Sequence, residues 1–71
     1  MKTKIKLLDV VALMEALPEH NLLRGQVGAV VEVLAPDVYE VEFVDDEGHT
    51  YAELAIEGDK LLALYYEPTF A

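Results

Sequence analysis

Seven residues, Val38 to Val44, restrict the fold more than any other part of this chain. In the run VYEVEFV, Tyr39, Val41 and Phe43 fall to one side and Glu40 and Glu42 to the other. That period of two belongs to a strand with one buried face. A helix through the same residues would set Glu40 and Glu42 on opposite sides of an apolar cylinder, so the helical alternative is poor. Turn chemistry flanks the run on both sides. Ala35-Pro36-Asp37 precedes it, with Pro36 fixing φ and Asp37 able to bond its own backbone. Asp45-Asp46-Glu47-Gly48 follows it, and Gly48 can take the positive φ that most residues avoid. A Val-rich run, Val27 to Ala35, leads in. Thr50 to Ile56 leads out, with Ala52, Leu54 and Ile56 on one face. The stretch from Arg24 to Ile56 therefore predicts a three-stranded antiparallel meander.

The flanks add short elements. Residues 1–6 read as a loose tail or fraying edge strand. Asp9 to Met14 predicts a strand apolar on both sides, with Val11 and Leu13 on one and Val10 and Ala12 on the other. A helix from Leu8 to Leu17 competes with it, because MEAL is good helix material, but the β-branched pair Val10-Val11 favours the strand. Leu17 to Gly25 predicts a loop: Pro18 stops what precedes it, and Leu22 or Leu23 tucks back over one end of the core. Gly25 and Gly28 at the mouth of the next strand mark a bulge or a close backbone crossing. Glu57 to Lys60, containing Gly58, predicts one turn of 3₁₀-helix, and Leu61 to Tyr65 a closing short strand. Residues 66–71 form a Pro-interrupted tail. The expected fold is all-β, a small SH3-like barrel of about five antiparallel strands in a single domain over residues 1–71.

At 71 residues without cysteine, no disulfide framework, thiolate zinc site or Cys nucleophile is available. A chain this short buries only ~60% of its unfolded surface. Fourteen acids face five bases, for a net charge of −9. Lys2, Lys4 and Lys6 lie at the start, so beyond them two bases stand against fourteen acids, a net of −12. Such a surface repels phosphate backbones and anionic lipid, which argues against direct nucleic-acid binding and against a membrane partner. No apolar run reaches the ~20 residues of a membrane helix. The three lysines followed by apolar residues have the outline of a signal peptide, but Asp9 and Glu15 interrupt it and no small-residue cleavage site follows. A cytoplasmic location is expected.

Several runs together, D-V-V-A-L, L-P-E-H, R-G-Q-V-G-A-V-V-E-V, Y-E-V-E-F and G-H-T-Y-A-E-L-A-I, resemble a bacterial family known as domain of unknown function 4926. The likeness extends from Lys6 to about Tyr65, with Ala29 where many relatives lead one to expect Thr. It implies an SH3-like small barrel and no known activity. It also implies a frequent genetic neighbour, another small protein, in an arrangement like that of toxin–antitoxin pairs. It carries no catalytic residue.

No constellation in the chain points to catalysis. There is no Ser or Cys, and His49 and Thr50 are adjacent on a strand, so their side chains diverge. Glu40 and Glu42 share a face ~7 Å apart, and Glu32 or Glu53 on neighbouring strands could join them. The resulting cluster resembles a glycosidase pair but has no cleft to raise one pKa selectively, so it reads as a solvated face. The acidic turn beside His49 lacks EF-hand spacing, since the twelfth position from Asp45 is Ile56. Gly25-Gln26-Val27-Gly28 is too short for a phosphate loop and has no following Lys. A proline-peptide groove would need clustered aromatics that Tyr51, Tyr65 and Tyr66 supply only in part. No enzyme activity, metal or cofactor is expected.

What remains is surplus apolar surface at Val10, Ala12, Val30, Leu34, Val44, Tyr65, Tyr66 and Phe70. A contiguous exposed patch marks an interface. The expected function is protein interaction, as the acidic antitoxin-like partner of a basic protein, or alternatively as an accessory subunit of a larger enzyme complex. Alone, the chain is expected to form a homodimer through strand edges and Val30, Leu34, Tyr65, Tyr66 and Phe70.

Overall fold

The computed structural model describes residues 5–65. Five strands, β1 (Val10–Leu13), β2 (Val27–Ala35), β3 (Val38–Val44), β4 (Thr50–Glu57) and β5 (Leu61–Ala63), form one antiparallel sheet in the order β4-β3-β2-β1-β5. The sheet does not close on itself. Among the described residues β4 and β5 each have a ladder on one side only, and a 3₁₀ turn, Gly58–Lys60, carries the chain from one to the other. The fold is all-β, with the meander of β2, β3 and β4 running from the middle of the sheet to one edge, and the helix considered over Leu8 to Leu17 does not form.

The alternation in β3 governs the core. Tyr39, Val41 and Phe43 are all buried, packed with Val11, Leu13, Leu22, Val30, Ile56, Leu61 and Ala63 in one apolar cluster. Leu22 is the residue of the 17–25 loop that plugs the core, while Leu23 stays exposed. The same loop contains a 3₁₀ turn, Pro18–His20, closed by Asn21 in the left-handed conformation. Ile5 is also in the core, which corrects the expectation that residues 1–6 form a loose tail: this one is packed.

The turns match their residue types. Asp37 has φ +64° after Pro36, the left-handed third position of a type II turn. Gly48 has φ +85°, its N–H donates to the Asp45 carbonyl, and the Asp45 N–H donates to the His49 carbonyl. This is the type I turn with a following left-handed glycine that closes three-residue hairpin loops. Gly28 serves a different need. A Cβ there would lie 2.8 Å from the Glu42 carbonyl oxygen and 2.8 Å from Val41 Cγ1, so β2 crosses β3 too closely for any side chain.

β2 departs from simple alternation. Its register against β3 runs Ala29–Glu42 and Val30–Val41, then skips Val31 and resumes at Glu32–Glu40. Without this bulge, Val30 and Glu32 would share a face and one of them would be misplaced. With it, Val30 points into the core and Glu32 points out. Val30 is 0% exposed, which removes it from the expected surface patch and from the expected dimer interface. Ala12 also drops out of the surplus, because it is small and sits between Val27 and Leu62 on the two strands flanking β1.

Candidate protein-binding face

The side of the sheet turned away from the core can be followed strand by strand from the pairing. One row across it runs Thr50, Val44, Val27, Ala12, Leu62. Val44 and Val27 share this row because each lies two residues beyond the paired Glu42 and Ala29. The next row runs Glu53, Glu42, Ala29, Val10, and the Leu64 N–H donates to the Val10 carbonyl to continue it. A third holds Glu40 opposite Glu32. The face is thus divided in two. Val44, Val27, Val10, Ala29 and Leu62 make an apolar half, of which Val27, Val44 and Leu62 are 47, 46 and 53% exposed. Glu32, Glu40, Glu42 and Glu53 make an acidic half beside it.

The acidic half is electrostatically unfavourable for the fold. Glu32 stands directly across from Glu40, and Glu42 directly across from Glu53. Like charges in opposed cross-strand positions destabilise a sheet. Glu53 responds with a raised pKa: a hydrogen bond with the Glu40 carboxyl is the largest cause, followed by desolvation and by the charges of Glu40 and Glu42. Glu42 is held in place, since the Thr50 hydroxyl donates to its Oε2 at 2.6 Å. That bond also shows where the Thr50 hydroxyl points: to Glu42 across the strand. In the apolar half lies a shallow groove of about 270 Å³, lined by Val10, Val27, Gly28, Ala29 and Val44, with Glu42 of the acidic half at its edge.

A second groove, also about 270 Å³, lies between the 17–20 segment and the end of β4. Leu17, Glu19 and His20 of the loop face Leu54, Ile56 and Lys60 across it. At the β3–β4 turn, ligand atoms of Asp45, Glu47 and His49 come within 4.8 Å of one another, all exposed. The Asp45 Oδ1 there already accepts the backbone N–H groups of Glu47 and His49, each at 2.9 Å, so this carboxylate shapes the turn.

A family model described as domain of unknown function (DUF4926) matches residues 7–63. The chain belongs to that family. No curated protein and no solved structure matches it. In this DUF4926 domain the expected interface residues are not brought together. Val30 is in the core, Leu34 is exposed at the far end of β2, and Tyr65 is exposed beyond β5, with β1 lying between those two strands. Tyr66 and Phe70 lie outside the described residues. The expected turn residues Gly25, Gly28, Pro36, Gly48 and Gly58 all sit at turns or close crossings of the DUF4926 fold. Two contacts had no signal in the sequence: the Thr50–Glu42 bond, and the bond from Gln26 Nε2 to the Tyr51 hydroxyl at 2.8 Å. Tyr51 also lies against Phe43, with ring centroids 6.3 Å apart.

Proposed function

We propose that this chain is a non-catalytic protein-interaction module, the acidic, antitoxin-like member of a pair, acting in the cytoplasm on a basic protein partner. The observation that carries this reading is the divided outer face, where exposed valines and a leucine adjoin four carboxylates. Two like-charged pairs set across a ladder cost stability, and features that work against the fold gather at functional sites. A basic partner would relieve the repulsion and cover the apolar half in one step. Among the described residues no helix is long and apolar enough to cross a membrane.

The test is co-expression with the protein encoded by the adjacent reading frame. The expected result is a stable complex that dissociates as salt is raised, together with relief of any growth defect the neighbour causes alone. If the two purify separately and the neighbour is harmless, the reading is lost.

A further inference from the structure

The groove on the outer face has a specific chemistry that names its occupant more closely. Its walls are aliphatic, and its rim carries one carboxylate, Glu42, already fixed by Thr50. A long aliphatic stem ending in a cation fits both features, with the stem on Val10, Val27 and Val44 and the charge on Glu42 and its neighbour Glu53. Arginine suits it better than lysine, because a planar guanidinium can bridge two carboxylates and is more weakly hydrated.

The surrounding face also selects the shape of the partner. The backbone groups of β1, β2 and β3 are engaged in ladders on both sides, so a strand laid on this face would find no hydrogen bonds. A helix satisfies its own backbone and is the usual cover for the open face of a sheet. The apolar row from Val44 to Leu62 crosses four strands, a span of ~15 Å at the normal strand spacing. That length corresponds to about ten residues of helix, or three turns.

We propose that the outer face binds a basic amphipathic helix of the partner, lying across β3, β2, β1 and β5, with an arginine anchored in the Glu42 groove. This rests on the interaction reading above. The charge balance disfavours a second copy as occupant, since each copy would bring its own net −9 to an acidic face.

A synthetic fourteen-residue helical peptide, with leucines at i, i+3, i+4 and i+7 and arginines along one flank, serves as the probe. It would be titrated into the ¹⁵N-labelled full chain at low salt and low protein concentration. Saturable shifts are expected at Val10, Val27, Ala29, Glu42 and Val44. Glu42→Gln, which keeps an acceptor for Thr50, is expected to weaken binding about tenfold, and Val27→Ser at least as much. Asp59→Asn removes one charge elsewhere and is expected to leave affinity within about twofold. Equal losses in Glu42→Gln and Asp59→Asn would reduce the binding to general charge attraction and overturn the proposal. So would shifts confined to the 45–49 turn, or the same shifts produced by concentrating the protein without peptide. If the co-expressed partner binds but leaves these five amides unmoved, this proposal fails while the interaction reading stands.

Discussion

Glu53 illustrates how a single residue can report on the whole outer face. Its raised pKa comes first from the hydrogen bond with Glu40, then from desolvation and the negative charges of Glu40 and Glu42. The folded chain therefore holds this proton to higher pH than the unfolded chain does. Across that window the folded state binds more protons, and stability falls as pH rises from the ordinary carboxylate range through the raised value. Glu53→Gln removes the effect. The expected outcome is a flatter dependence of melting temperature on pH above the carboxylate range, and a variant at neutral pH no less stable than the parent. Thermal melts of both proteins over a pH series measure this. A Gln variant that is less stable at neutral pH would mean that the carboxylate makes a favourable contact not described above. The effect is modest because the pair is exposed.

Among the elements, the β3–β4 hairpin depends most clearly on one side chain. Asp45 Oδ1 accepts two backbone N–H groups, and the left-handed Gly48 completes the reversal. Asp45→Ala is expected to cost about 1 kcal/mol, a normal net value for lost turn hydrogen bonds. In a domain this small that corresponds to a fall of ~4–8 °C in melting temperature. Asp45→Asn should lose less, because its side-chain carbonyl can accept the same bonds. Equal losses by circular-dichroism melting would show that charge matters here and the bonds do not. This hairpin was legible in the sequence because turn residues and alternation are local signals, and the same holds for β3 and the β2–β3 turn. Val30 was not legible. The run VGAVVEV has no period, and only the pairing with β3 shows that Val31 is the extra residue that turns Val30 inward. The acidic cluster was half legible: alternation placed Glu40 and Glu42 together, but register against β2 and β4 was needed to set them opposite Glu32 and Glu53.

The whole molecule combines strong like charge with an unclosed sheet. β4 is eight residues long and has no ladder on its outer side among the described residues. Such an edge is where a second copy would pair. Two chains of net −9 repel, and salt screens that repulsion over ~8 Å at physiological strength. We therefore expect the isolated chain to dimerise more as salt rises, opposite in sign to the proposed complex with a basic partner. Sedimentation equilibrium across a salt series checks this, and a monomer at every ionic strength would remove β4 as a self-pairing edge. The strand order has a further effect during synthesis. Among the described strands β1 is the first to leave the ribosome, yet it pairs with β2 on one side and with β5, the last of them, on the other. The ~50 residues between them take seconds to translate at ~5–20 residues per second, far longer than a hairpin needs to form. For those seconds β1 lacks its pairing on one of its two edges, so anything that engages the nascent chain before β5 appears meets a different surface from the one finished later.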